Sequence, residues 1–320
     1  MNMKKIYILI ITVLFSLNTN AQEVNLPQYL NYLGDNPFVI TPAYVGIGSG
    51  MRLRLNGLTQ WVGIKNAPQT QSLSIESRLG DRFGGGLVIF KDANGNTSQQ
   101  GLKATFASHL ILSEVNESFF SFGFTYSLVM FNIDASTFDD LDVGLNNQLN
   151  FNSSNFDVSF LYRFNDYGVS FNVSNLLDKK DRFFSNGEPV ILRRYSLYNY
   201  YVFTRFYGDY EIEPSILVEY FEGDQRSRTD LNLKVRKRTS SGYIWAGFTY
   251  NFLNDQLLNP NTIAPLIGLK SGNLYASYGF GININNTQSF NVGSHMITLG
   301  YDFMKRESLA RCTQKYYMFQ

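Results

Sequence analysis

The sequence predicts an all-β chain, a transmembrane antiparallel up-and-down β-barrel of about 14 strands. Three observations predict it: an export signal at the start, amphipathic strands repeated along the rest, and connectors that alternate between short and long. The clearest strand is 118–131, where Phe120, Phe122, Phe124, Tyr126, Leu128 and Met130 stand at every second place. Between them sit Ser121, Gly123, Thr125, Ser127 and Val129. Period two puts each set on its own face of the strand, and a tilted strand of about ten residues crosses a bilayer.

Residues 1–21 read as a signal peptide. Lys4 and Lys5 form the positive start, Ile6 to Leu17 is an almost unbroken apolar run, and Thr19-Asn20-Ala21 supplies the small residues of a cleavage site. The run is too short for a good membrane-spanning helix, and no Cys follows the cleavage point to take a lipid anchor. Residues 22–49, with Pro27, Pro37 and Pro42, do not alternate. They form either a periplasmic lead-in or a plug inside a lumen.

Residues 50–304 are then the outer-membrane barrel. Its first strand is 51–61, with Leu53, Leu55 and Trp61 on one face and Arg52, Arg54, Asn56 and Gln60 on the other. Alternation bounded by Gly, Asn, Asp and Pro clusters places the next at 70–79, 84–91, 101–112, 118–131, 155–164 and 167–175. The remaining candidates are 195–207, 210–221, 229–236, 242–252, 262–270, 273–283 and 293–303. Connectors 80–82, 113–117, 165–166, 208–209, 237–241 and 271–272 are short. Those at 62–69, 92–100, 132–154, 176–194, 222–228, 253–261 and 284–292 are mostly longer. Outer-membrane barrels have short periplasmic turns and long outer loops, and an even strand count leaves both termini periplasmic. A terminal aromatic, Phe303, closes the last strand, and a basic-aromatic periplasmic tail follows at 305–320.

The composition agrees. Mean hydropathy is slightly negative, which excludes a helical inner-membrane protein but not a barrel, whose alternation averages hydropathy away. Aromatics make up 16% of the chain, with 21 Tyr and 27 Phe, enough for girdles at both membrane interfaces. A net charge of +1 gives no footing for nucleic-acid binding, and the single Cys312 cannot form an internal disulfide. The polar strand faces hold both signs: Arg52, Arg54, Lys103, Arg163, Lys234 and Arg236 with Glu76, Asp157, Glu213, Glu219 and Asp230. Buried charges must pair or meet water, and a mixed lining argues against a strongly ion-selective pore.

Candidate chemistry is sparse. His109 lies on a polar strand face, where a lumenal hydrogen bond is the plain reading and a barrel phospholipase would add a Ser and an orienting Asn or Asp. His295 stands at a strand end near the membrane interface. Asp134, Asp139, Asp140 and Asp142 crowd an outer loop without EF-hand spacing, and Asp92-Ala93-Asn94-Gly95-Asn96 reads as a turn before a calcium loop. Arg193-Arg194 and Arg226-x-Arg228 flank outer loops, where they are solvated or meet lipopolysaccharide phosphates or a cargo domain. No cofactor or metal is expected. The partners expected from the fold are outer-membrane lipid and lipopolysaccharide.

Arg54-x-x-Gly57-x-x-Gln60-Trp61-x-Gly63, then Ala67-Pro68-x-Thr70, resembles the PorP/SprF family of the Bacteroidota, outer-membrane proteins linked to type IX secretion and gliding motility. Gln28-Tyr29, Asn36-Pro37 and Pro42-Ala43-Tyr44-x-Gly46 resemble the family's lead-in, with Thr41 where an Asn would precede Pro-Ala. Gly84-Gly85-Gly86, Asp92-x-x-Gly95, Gly168-Val169-Ser170-x-Asn172-Val173-Ser174-Asn175-Leu176, Glu213-Pro214-Ser215 and Gly293-Ser294-His295-Met296-Ile297 fit later landmarks, Met296 replacing a common Glu. The resemblance implies no catalytic residues. It implies an accessory that binds or presents secreted cargo such as a gliding adhesin, with a link to periplasmic machinery. The rival reading is a passive or gated channel for small solutes. The residues expected to organise a binding surface are Pro42, Ala43, Gly46, Gln60, Trp61, Gly63, Ala67 and Pro68.

Overall fold

A computed structural model of the chain describes residues 36–48, 50–133, 149–178, 191–204, 209–256, 261–284 and 292–303. Fourteen strands follow in chain order: β1 (Met51–Thr59), β2 (Gln69–Arg78), β3 (Phe83–Asn94), β4 (Thr97–Ser113), β5 (Ser118–Ile133), β6 (Leu149–Phe164) and β7 (Tyr167–Ser174). Then come β8 (Arg194–Tyr201), β9 (Tyr210–Phe221), β10 (Arg226–Thr239), β11 (Gly242–Leu253), β12 (Thr262–Ser271), β13 (Leu274–Asn283) and β14 (Ser294–Phe303). Each pairs antiparallel with its sequence neighbours, and β1 meets β14 along Met51↔Phe303 to Thr59↔His295, closing the barrel. Closure removes every free sheet edge at mid-height, which a lipid environment requires because it offers no hydrogen bonds.

The alternation decides which face points where. Leu55, Leu73, Ile89, Leu102, Phe124 and Leu128 are all exposed, a belt of apolar surface far larger than a soluble monomer tolerates. Aromatic pairs strengthen that outer face across strands: Phe83 on Phe106 at 5.5 Å, Phe122 on Phe160 at 5.4 Å and Phe124 on Phe156 at 5.4 Å between ring centroids. The intervening polar residues, among them Arg54, Ser74, Thr125, Ser159 and Asn172, are buried inside. This inversion of the usual burial pattern is the mark of a membrane barrel.

Several boundaries differ from those expected: β1 ends at Thr59 rather than 61, β6 begins at Leu149 rather than 155, β10 ends at Thr239 rather than 236, and three further differences reshape the connectors. Residues 92–100 are not a long loop: β3 and β4 continue until Asn94 faces Thr97 across the two residues Gly95 and Asn96. Gly95 has φ 61°, the left-handed conformation that a tight hairpin turn needs. The connector expected at 222–228 likewise shrinks to four residues, because β10 begins at Arg226 rather than 229. In the other direction, β8 ends at Tyr201 rather than 207, and beyond it Phe203 keeps one bridge to Ile212. The wall is uneven as a result: β4, β5 and β6 run 16 or 17 residues while β7 and β8 run eight. The expected signal peptide, most of the lead-in, the acidic loop, Cys312 and the tail lie outside the described residues.

Candidate functional site in the lumen

Residues 36–48 enter the barrel and pack against its inner wall. Two prolines set their shape. Pro37 and Pro42 each open a single 3-10 turn, Pro37–Val39 and Pro42–Tyr44, where a fixed φ suits the turn and the missing N–H leaves no donor unpaired. Thr41, just before Pro42, is extended at φ −142° and ψ 108°, as the ring of a following proline favours. Phe38, Ile40, Ala43, Tyr44, Val45 and Ile47 are buried together.

The wall supplies the polar partners that this irregular backbone needs, one strand after another. Ala43 N donates to Ser159 Oγ of β6 at 2.8 Å and Gly46 N to Glu76 Oε2 of β2 at 3.0 Å. Asn172 Nδ2 of β7 donates to the Ile40 carbonyl at 3.1 Å, and Thr41 Oγ1 lies 3.4 Å from Ser170 Oγ. Two wall glycines make room for it. A Cβ at Gly84 would stand 2.1 Å from the Val45 carbonyl oxygen, and one at Gly123 would stand 2.3 Å from Ala43 N. Small inward residues on β3, β5, β6 and β7 therefore shape a seat for this segment.

His109 belongs to the same seat. Its Nε2 lies 3.0 Å from the Val45 carbonyl and its Nδ1 2.8 Å from Ser121 Oγ. A carbonyl only accepts, so Nε2 holds the proton and Nδ1 accepts from the serine. Both side chains are sealed, with His109 fully buried. The pair clamps the segment rather than facing a substrate. His295 sits on the outer face, its ring 5.1 Å from that of Phe280 and its Nδ1 2.8 Å from Tyr278 Oη.

The opposite side of the lumen is filled by the wall's own side chains. Tyr198, Tyr200, Trp245, Tyr275, Leu266 and Met296 are buried in the same cluster. Trp245 Nε1 donates to Tyr275 Oη at 3.2 Å, Lys234 Nζ lies 4.2 Å above the Trp245 ring, and the Arg54 guanidinium 4.9 Å above Tyr275. The lumenal charges pair around this belt: Arg52 with Glu76 at 2.8 Å, Asp302 with Arg54 at 2.5 Å and Lys270 at 2.7 Å, and Arg236 with Glu213 at 2.6 Å and Glu211 at 3.2 Å. Asp302 and Arg236 each hold two partners, so losing one weakens the compensation of a buried charge without removing it.

The eight residues expected to organise a binding surface divide into two groups. Pro42, Ala43 and Gly46 lie in the lumen. Gln60, Trp61, Gly63, Ala67 and Pro68 form the β1–β2 connector at the barrel end opposite Met51 and Phe303. That connector is tied to its neighbours: Gln60 N donates to Pro68 O at 2.9 Å, Val62 exchanges bonds with Val292 and Gly293 at 2.8 and 3.0 Å, and Gly95 N donates to Asn66 O at 3.0 Å. Trp61 and Gly63 both take positive φ, 48° and 103°. Asp92, in the expected turn, points inward and accepts from Thr70 Oγ1 at 2.5 Å and Gln99 Nε2 at 3.1 Å. Of the arginines flanking loops, Arg194 and Arg228 turn inward to share Glu219. Arg193 pairs with Asp178 at 2.7 Å and Glu222 at 3.2 Å, and its hydrogen bond to Tyr195, with the two carboxylates, raises its pKa further. Among the described residues no group of three His, Cys, Asp or Glu side chains could hold a metal. The sequence reading missed Ser159, Ser170 and Asn172 as holders of the segment. Ser159 was marked only by being small and polar on an inward face, and Ser170 and Asn172 also by standing in a family-like stretch that carried no role.

A family model described as "Type IX secretion system membrane protein PorP/SprF" matches residues 21–301. No curated protein matches the chain. Solved structures with a similar fold include the CymD monoaromatic hydrocarbon channel, at 13% identity and a TM-score of 0.55 over 84% of this chain and 92% of that one. Another is the toluene transporter TbuX of Ralstonia pickettii, at 10% identity and a TM-score of 0.53 over 84% and 93%. At these identities the likeness is one of fold.

Proposed function

The chain belongs to the PorP/SprF family of type IX secretion system membrane proteins, and we propose from that membership that it is a non-enzymatic outer-membrane accessory of this secretion route. In this reading it binds or presents a secreted cargo protein, such as a surface or gliding adhesin, at its loop end. Its termini face the periplasm, where they meet the secretion machinery. The observation that supports an accessory over a solute pore is the filled lumen. Residues 36–47 cover one side, and the belt of Tyr198, Tyr200, Trp245 and Tyr275 covers the other. The β1–β2 connector, braced against the neighbouring turns, supports a fixed outer surface, and Gln60, Trp61, Gly63, Ala67 and Pro68 are the positions proposed to shape it. The similarity to hydrocarbon channels is one of fold, and a solute path would have to pass between residues 36–47 and the belt around Trp245.

The test is affinity purification of the tagged protein from native outer membranes with identification of its partners. Recovery of secretion components together with one large secreted surface protein supports the reading. Recovery of the barrel alone, with deletion abolishing only solute uptake, refutes it.

A further inference from the structure

On the loop-ward side of the lumenal segment lies a cavity of about 150 Å³, floored by Phe38, Ile40 and Pro42 and flanked by Phe90 and Val129. Its polar wall is a row of charges crossing β4, β6 and β8: Lys103, Asp157 and Arg194. We propose that this cavity is a binding site for a small carboxylate with an amino or amide donor on the adjacent carbon and a compact apolar group, the chemistry of an apolar amino acid.

The row follows from the strand registers. Ser127 of β5 faces Lys103 and Thr125 faces Asp157, while Ser174 of β7 faces Arg194, so the three charges stand at similar height on the inner face. Their mutual pairing is incomplete. Lys103 Nζ stays 3.9 Å from Asp157 Oδ2, and its side chain is partly exposed to the cavity. Arg194 reaches Glu219 only at 3.5 Å, and that carboxylate already holds Arg228. Arg194 Nε has no hydrogen-bond partner among the described residues. Two cationic groups thus lack a close anion, where charge-assisted bonds of about 2.7–2.9 Å are the favourable geometry.

An independent observation comes from Asn172, 1% exposed and lining the same cavity. Its Nδ2 serves the Ile40 carbonyl and Ser174 Oγ, but its Oδ1 has no donor among the described residues. A buried acceptor without a donor is costly. A ligand N–H would meet it beside Asp157, whose Oδ1 already accepts from Asn175 N at 2.9 Å and whose Oδ2 remains on the Lys103 side. The cavity therefore combines an anion-seeking side, a donor-seeking side and an apolar floor. The volume equals about five water molecules, which suits one small residue and excludes a drug-sized ligand. The same chemistry belongs to a free amino acid and to the last residue of a polypeptide.

The purified full-length barrel in nanodiscs is titrated calorimetrically with L-leucine, with the tripeptide Gly-Gly-Leu and with 4-methylpentanoate, which lacks the donor. Saturable binding of leucine or of the tripeptide at concentrations up to about 10 mM is expected, at least tenfold tighter than 4-methylpentanoate. The tighter of the two identifies the source, free amino acid or chain end. Lys103→Met and Asp157→Asn each weaken binding at least tenfold, and the outward Lys91→Met leaves it unchanged. Heat-dependent gel migration confirms that each variant is folded. The proposal is overturned if neither leucine nor the tripeptide binds saturably, if 4-methylpentanoate binds equally well, or if folded Lys103→Met binds like the parent.

Discussion

Adding one methyl group to the wall should loosen the lumenal segment. In Gly123→Ala the new Cβ would meet Ala43 N, the Pro42 carbonyl carbon and Ala43 Cα at 2.3, 2.5 and 2.6 Å. All three are backbone atoms, so no side chain can rotate away and the segment must retreat by about 1 Å to restore ordinary contact. That retreat stretches the 2.8 Å bond from Ala43 N to Ser159 Oγ beyond hydrogen-bonding range. Overpacking costs about 1–3 kcal/mol and the lost bond about 1 kcal/mol. Together, about 2–4 kcal/mol raises the population of the displaced segment by roughly 30- to 1000-fold. The assay places a single cysteine at Thr41, which is 1% exposed, in a Cys312→Ser background, and follows maleimide labelling in the folded, membrane-inserted barrel. Labelling reports transient opening when reclosing is fast. Gly123→Ala should label at least tenfold faster, and equal rates in two equally folded proteins would refute the seat described for this segment.

Other perturbations test neighbouring parts of the account. Glu76→Gln removes the 2.8 Å ion pair with Arg52 and weakens the acceptor for Gly46 N; a loss of about 2 kcal/mol should lower the temperature at which the barrel unfolds in gel-migration assays. His109→Ala orphans the Val45 carbonyl and Ser121 Oγ, so it should speed Thr41→Cys labelling about tenfold without changing lipid hydrolysis, measured on a fluorescent phospholipid. Phe124→Arg, in the middle of the outward face, should cost about 2–4 kcal/mol in vesicle folding titrations. Leu79→Arg, outward at the short-turn end, should cost about 0–1 kcal/mol. Equal penalties at the two sites would contradict the assigned membrane depth.

The alternation of Phe120 to Met130 made the wall legible because lipid enforces it at each strand. Every second residue must be apolar whatever its neighbours are, so a single-sequence pattern suffices. Hairpin length was less legible. Gly95-Asn96 signals a tight turn, but the polar residues around it also suit a loop, and only pairing with β3 shows that Thr97 to Gln100 continue a strand. The lumen was the least legible part. Ser159, Ser170 and Asn172 look like any inward polar residues, and their role depends on a non-repeating segment more than a hundred positions away. Gly84 and Gly123 share that limit, since the sequence shows small residues and not the backbone that presses on them. Likewise, Pro42 and Trp61 stand in one family-like pattern yet lie in the lumen and in the outer connector respectively.

Planar-bilayer recording of the purified wild-type barrel tests most directly whether this is a closed accessory or a pore. The packing of residues 36–47 against the inner wall, facing the belt around Trp245, predicts a silent baseline with brief openings at most. Gly123→Ala should open more often. A steady ohmic conductance from the wild-type protein, unchanged by Gly123→Ala, would contradict the account and return the barrel to the solute channels.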